Sequence, residues 1–244
     1  MKDYKIIATV GEDELKKFNE LNLSYLDILE VRLDLCENDF VKNQLSDILK
    51  KENVPVLFTY RLPKDSSLSS KGILLSENIS ELLKNFDHSN NYIDIELDNI
   101  DSIFKEFINS KFTKILSYHN FNNMISEKEL VDFIELSQEK TKIVNVIYKF
   151  AVMVENLDSA KNFMQLISKY SNEYSLIGII MGEIGLYSRV FGDLFGSKMT
   201  YCTLTEPKAP GQIQPKTLVN LRNKKLEEFS KNPLEYHDIK NLIV

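Results

Sequence analysis

Apolar positions along the chain gather into short β-branched runs, each followed by a longer stretch with helical spacing. The runs at 5–10, 26–32, 55–61, 92–97, 113–119, 143–149, 174–180 and 199–202 read as strands. The stretches near 13–21, 40–52, 75–87, 99–109, 126–139, 156–170, 186–194 and 215–229 read as helices. Short, continuous apolar strands are those of a parallel sheet buried on both faces. Strands alternating with helices at this spacing predict βαβ units. Eight such units predict closure into a (β/α)8 barrel, with a doubly wound open sheet as the other solution.

The polar residues that interrupt the apolar runs favour the barrel. Glu30, Arg32, Arg61, Glu96, His119 and Lys149 are read at strand C-terminal ends. In a (β/α)8 barrel, catalytic side chains converge at that rim. Glu30 and Arg32 are two apart in one strand, so they share a face. The chain of 244 residues suits one barrel domain spanning 1–244.

Composition narrows the function. A formal net charge of −6 without a basic cluster argues against nucleic acid as a partner. Cys36 and Cys202 stand far apart, outside any metal-ligand spacing, and read as small buried residues or free thiols. No metal site and no cofactor is expected, since the chain lacks Cys/His and HExxH clusters as well as GxxxxGK[ST] and GxGxxG loops. No segment approaches 18 consecutive apolar residues and the N-terminus does not read as a signal peptide, so no membrane is expected and the cytoplasm is the expected location.

Lys149 lies in Val146-Ile147-Tyr148-Lys149-Phe150-Ala151-Val152-Met153, an almost wholly apolar setting. Desolvation lowers a lysine pKa, and the free amine is the form that attacks a carbonyl. The other reading is a strand-end lysine snorkelling to the surface. His119 closes an apolar strand and suits proton transfer, or else a structural hydrogen bond. Glu30, Arg32, Arg61 and Arg189 make either a rim for a carboxylate or a structural ion-pair network. The glycines of 181–189 read as tight turns or close packing. The Pro/Gly-rich loop 206–212 reads as a closing lid or a plain connection.

These segments together carry a resemblance. The stretch 5–11, Asp27-Ile28-Leu29-Glu30-Val31-Arg32-Leu33-Asp34, Phe58-Thr59-Tyr60-Arg61, Asp94-Ile95-Glu96-Leu97, Ser117-Tyr118-His119-Asn120-Phe121, Tyr148-Lys149-Phe150-Ala151-Val152-Met153, 181–197 and Ala209-Pro210-Gly211-Gln212 occur in order. In this the chain resembles the type I 3-dehydroquinate dehydratases over nearly its whole length. The resemblance implies a (β/α)8 barrel, usually a homodimer, that converts 3-dehydroquinate to 3-dehydroshikimate in the shikimate route to aromatic compounds. It makes Lys149 the Schiff-base nucleophile and His119 the proton shuttle. It makes Glu30, Arg32, Arg61, Arg189 and Gln212 substrate-binding residues. Arg189 and Gln212 would lie near the substrate carboxylate, Glu30 and Arg61 near the ring hydroxyls.

Four positions depart from the family pattern. Asp65 replaces a glutamate that would partner the histidine and is one methylene shorter, so that the contact is expected to be lost or bridged by water, and Asn120 replaces an aspartate beside it, which removes a negative charge and is expected to lower the histidine pKa. Lys208 replaces a serine of the closing loop, to pair with the substrate carboxylate or point to solvent. Thr9 replaces a serine and keeps the hydroxyl. An apolar tail, 231–244, reads as an extra C-terminal helix. The competing functions are another Schiff-base aldolase or lyase, and a catalytically silent barrel that binds a related hydroxy acid.

Overall fold

The computed structural model describes residues 4–51, 53–61, 66, 68, 77–96, 107–143 and 145–231. Eight strands run in parallel: β1 (Lys5–Val10), β2 (Ile28–Arg32), β3 (Val56–Thr59), β4 (Tyr92–Glu96), β5 (Thr113–Asn120), β6 (Ile147–Val152), β7 (Ser175–Ile180) and β8 (Met199–Thr203). They pair in the order β7-β6-β5-β4-β3-β2-β1-β8. The seam between β7 and β8 is drawn together by one parallel bridge, Leu176 to Ser197, and by Lys198 N–H donating to the Leu176 carbonyl at 2.8 Å. The strands therefore form a nearly closed (β/α)8 barrel rather than an open doubly wound sheet.

The helices are α1 (Glu12–Lys16), α2 (Asn38–Phe40), α3 (Ser46–Leu49), α4 (Glu77–Asn85), α5 (Glu127–Thr141), α6 (Leu157–Tyr170), α7 (Leu186–Phe191) and α8 (Pro215–Lys231). A π-helical stretch, Val41–Leu45, fuses α2 to α3. The helix expected near 99–109 falls largely outside the described residues, as do Asp65 and the expected tail helix. Local chemistry sets the boundaries of α5. Ser126 Oγ accepts from Glu129 N–H while Glu129 accepts from Ser126 N–H at 2.8 Å, a reciprocal cap. Its face Leu130, Phe133, Ile134 and Ser137 is buried at helical spacing. Phe133 meets Tyr118 and Phe150 edge-on outside the barrel wall.

Two apolar layers follow from strand alternation. Val10, Leu29, Val31, Phe58, Leu116 and Phe150 point out and pack under the helices. Ile7, Ile28, Leu57, Tyr92, Ile115 and Ile177 point in and fill the lower barrel. Above that floor, the inward positions turn polar.

β2 and β3 are shorter than the sequence expectation, and β6 departs from it most. β6 begins at Ile147, not at 143, because Lys142 and Asn145 both adopt positive φ, 53° and 67°. Left-handed residues end the helix and turn the chain, so extended pairing starts later. Lys149 is thus the third residue of six, in mid-strand, with Ser117 and Ile177 as its register partners. Glu30 likewise stands in the middle of β2. Both lie one layer below the rim on which the sequence reading set them.

Candidate active site

A cavity opens at the C-terminal end of the barrel. Thr9, Glu30, Arg32, Arg61, His119, Lys149, Arg189, Lys208 and Gln212 all line it. Every substrate-binding or catalytic residue expected from sequence thus converges there among the described residues, Asp65 lying outside them. Phe121, Ala151, Ile179 and Met181 form an apolar wall.

The Lys149 amine is buried, and Asp94 Oδ2 accepts from it at 3.2 Å. Its Nζ also stands 4.3 Å from the centre of the Tyr201 ring. Burial pulls the lysine pKa below its ordinary value and the Arg61 charge adds to this, while Asp94 and Glu30 oppose it. The two contacts that favour an ammonium are thus outweighed by desolvation, and the free amine becomes more accessible.

Asp94 was not singled out from the sequence, yet it is the hub of the site. It is fully buried and takes both Arg61 nitrogens, at 2.7 and 2.6 Å, as well as Ser117 Oγ at 2.6 Å. Arg61 also donates to Glu96 at 2.7 Å. Burial alone would raise the Asp94 pKa, but Arg61 and Lys149 hold it far below the carboxylate range. A signal for it was present: Asp94 and Glu96 are two apart in an otherwise apolar strand, the spacing that put Glu30 and Arg32 on one face. Tyr201 carried no such signal, being one aromatic residue in an apolar run.

His119 sits diagonally from Lys149 on the neighbouring strand, its ring beside Phe121. Its Nδ1 is 3.6 Å from Glu96 and has no hydrogen-bond partner among the described residues. Burial, then the Arg61 and Lys149 charges, drive its pKa well below 6.5. At neutral pH it is an uncharged imidazole, the form that accepts a proton. Asn120 does not bear on this. Its side chain faces away, as the next residue along a strand must, and its Oδ1 accepts from Asn122 and Asn123 N–H at 3.0 Å.

The arginines divide. Arg32 is held by Asp34 at 2.8 and 2.7 Å and by Ser66 Oγ, and Arg61 by Asp94 and Glu96. Both belong to ion-pair networks. Arg189 meets no carboxylate among the described residues. Its Nη1 and Nη2 donate to the carbonyls of Ile180 at 2.6 Å and Pro210 at 2.9 Å. Burial pulls its pKa from 12.5 down to about 10. Gly185 is required here, since any side chain would collide with the Ile180 carbonyl and the Arg189 guanidinium. A buried guanidinium without an anion is a ready receptor for a carboxylate.

Glu30 accepts from Thr9 at 2.6 Å and Thr59 at 2.8 Å. Gln212 donates to Thr9 at 3.1 Å and accepts from Lys208 and Ala209 N–H, so it ties the 206–212 loop to the barrel. Lys208 lines the cavity but is already engaged by a carboxylate of the protein. Its amine pairs with Glu14 at 2.8 Å, and Glu14 also holds Gly11 N–H at 2.9 Å. The loop is thereby latched to the turn after β1. Among the described residues no group of three or more His, Cys, Asp or Glu has the arrangement to hold a metal ion. Cys36 and Cys202 are buried thiols that form no disulfide with each other.

Fold and site together define a (β/α)8-barrel enzyme with a buried lysine, a neutral histidine and an arginine open to an anion in one cavity. Comparison with known proteins agrees. The family model described as Type I 3-dehydroquinase matches residues 6–225, and the chain belongs to that family, whose members are hydro-lyases of the shikimate pathway. The 3-dehydroquinate dehydratase of Staphylococcus haemolyticus is 31% identical, covering 88% of this chain and 90% of its own. That of Methanocaldococcus jannaschii is also 31% identical, over 87% and 95%. Among solved structures, type I 3-dehydroquinate dehydratase from Clostridium difficile, with covalently modified comenic acid, superposes with a TM-score of 0.71 at 25% identity over 93% of both chains. The Geobacillus kaustophilus 3-dehydroquinate dehydratase gives the same TM-score at 23% identity, over 92% and 91%.

Proposed function

We propose that this chain dehydrates 3-dehydroquinate to 3-dehydroshikimate through a Schiff base on Lys149. The observation that carries the mechanism is the Lys149 amine, buried and 3.2 Å from Asp94, in one cavity with His119. The amine condenses with the substrate C3 ketone and releases water. The iminium draws electrons, so neutral His119 takes a C2 proton and leaves an enamine. The enamine expels the C1 hydroxyl, to which His119 returns the proton. Water then hydrolyses the product imine and frees the lysine. Every electron pair returns to protein or product, and the iminium acts as the electron sink.

Arg189 receives the substrate carboxylate, with Gln212 and the loop bearing Lys208 closing over it. Glu30, set by Thr9 and Thr59, and Arg61, set by Asp94 and Glu96, face the ring hydroxyls, and Arg32 completes the rim. Asp65, outside the described residues, is the proposed partner of His119. Family likeness further supports one catalytic domain, a homodimer in the cytoplasm. No helix among the described residues is long and apolar enough to cross a membrane. Light scattering on a sizing column reads the oligomeric state.

The test is borohydride trapping. The protein is incubated with 3-dehydroquinate and sodium borohydride, weighed intact and mapped by peptide. A reduced adduct on Lys149, absent from Lys149→Ala, together with rising enone absorbance in a parallel assay, is the expected result. Turnover without any lysine adduct overturns the Schiff-base route. Neither turnover nor adduct overturns the dehydratase reading.

A further inference from the structure

Tyr201 stands inward from the middle of β8, 4% exposed, and lines the cavity. Its ring lies under the Lys149 amine, 4.3 Å from Nζ to the ring centre. Its hydroxyl is closed off from solvent and has no hydrogen-bond partner among the described residues. The two inward carboxylates nearest it are engaged. Glu30 is held by Thr9 and Thr59, and Asp94 by Arg61, Ser117 and Lys149.

A buried hydroxyl without a partner destabilises a fold, and phenylalanine would fill the same space without that cost. Packing therefore explains the ring and not the oxygen. The position of the ring against the nucleophile explains what the oxygen meets. When the amine adds to a ketone, the C–N bond forms and the carbonyl π pair moves onto oxygen. That oxygen takes one proton shed by the nitrogen and one from solvent, and departs as water when the nitrogen lone pair closes the C=N bond. Until it departs, it is two bonds from Nζ, within the reach of groups that flank the lysine. Asp94, on one flank, is an acceptor committed to cations. Tyr201, on another, is a donor that keeps its proton, since burial and the Glu30 and Asp94 charges push the phenol well above its ordinary pKa.

We infer that the Tyr201 hydroxyl is the hydrogen-bond donor to the oxygen that leaves the carbon attacked by Lys149. It loses no proton; it stabilises the charge that builds on that oxygen as the imine forms. By microscopic reversibility it also receives the water that hydrolyses the product imine. The inference rests on the Schiff-base reading above and adds to it a residue, a partner atom and a step.

Tyr201→Phe tests it, because the ring under the amine is kept and only the oxygen is lost. Borohydride-quenched time courses, read as intact mass, give the rate at which the Lys149 adduct appears. A donor to an oxygen gaining charge is worth about tenfold to a hundredfold in rate. The variant should trap the adduct more slowly by that factor, while binding quinate, which has a hydroxyl in place of the ketone, as the parent does. Its Tm should equal or exceed that of the parent, since an unpaired buried hydroxyl has been removed. Equal trapping rates overturn the inference and leave the Schiff-base reading standing. A lower Tm with slower trapping also overturns it, because the hydroxyl then serves the fold. No Lys149 adduct in the parent protein overturns both.

Discussion

Arg189 offers the sharpest quantitative test. Its guanidinium is 1% exposed and bonded only to two backbone carbonyls among the described residues. Burial brings its pKa from 12.5 to about 10. At about 1.36 kcal/mol per pH unit, that displacement is a cost of about 3 kcal/mol for holding the charge there. The sign is set by linkage. A cation with a lowered folded pKa carries its full cost below about 10, so the cost is complete at pH 7 and is relieved only as pH rises above that value. A carboxylate arriving beside it recovers this energy. Arg189→Met should therefore weaken the carboxylate substrate by about 100-fold at pH 7, mainly in KM. Removing the charge also forfeits two hydrogen bonds of about 1 kcal/mol each. These offset most of the relief, so the Tm should stay within a few degrees of the parent. The assay is steady-state enone formation beside equilibrium binding of a carboxylate ligand and its carboxamide analogue. The parent should prefer the carboxylate and the variant should not. Equal loss of affinity for both ligands, or an unchanged KM, refutes the assignment of an anion to Arg189.

Further outcomes follow from the same geometry. Asp94→Asn leaves Arg61 and Lys149 without their shared carboxylate and should cost about 3–5 kcal/mol in denaturant unfolding. Because the Asp94 pKa is depressed in the fold, that loss should be present at neutral pH and shrink only in acid, below the ordinary carboxylate range. In the same variant, any acid limb of kcat/KM belonging to Lys149 should move to lower pH, since the charge favouring the ammonium is gone; a limb that stays in place refutes a direct effect on the amine. Glu14→Gln should loosen the latch to Lys208 and raise KM about fivefold, roughly 1 kcal/mol, with kcat for the chemical step in single turnover unchanged. Burial pushes the Cys202 thiol up to about 12, and Cys36 is fully buried. Neither should react with a thiol reagent until the protein unfolds, as a timed mass measurement would show.

Much of this architecture was readable before the structure. Alternation of apolar strands with helical stretches gave eight parallel units, and polar residues inside apolar runs gave the site. What failed did so for local reasons. Ile143 and Val144 look like strand, but left-handed Lys142 and Asn145 delay the pairing, and backbone handedness at a lysine has no signature in composition. The reading of Asn120 as a neighbour of the histidine ring took adjacency in sequence for adjacency in space. Ion-pair partners were the least readable. That Arg61 is claimed by Asp94, while Arg189 meets no carboxylate among the described residues, depends on which side chains converge across strands distant in sequence. Lys208 shows the same limit, since Glu14 lies in the first turn after β1 and Lys208 in the last loop before α8.

The seam of the barrel has a consequence for tempo. β8 is hydrogen-bonded along its length to β1, whereas among the described residues the join to β7 is one backbone bridge, from Ser197 just before β8 to Leu176, with Gly178 N–H donating to Ser197 Oγ. Closing the ring thus waits for all eight strands of the barrel, and the loop-closure entropy of that pairing is recovered late. The same slender join is where the finished ring should open first. Amides around Ser197 and Lys198 should exchange with deuterium before those between β5 and β6, whose ladder runs unbroken over six register pairs. Since β8 also supplies Tyr201 and leads into the closing loop, a fluctuation at that join reaches the floor and the roof of the cavity together.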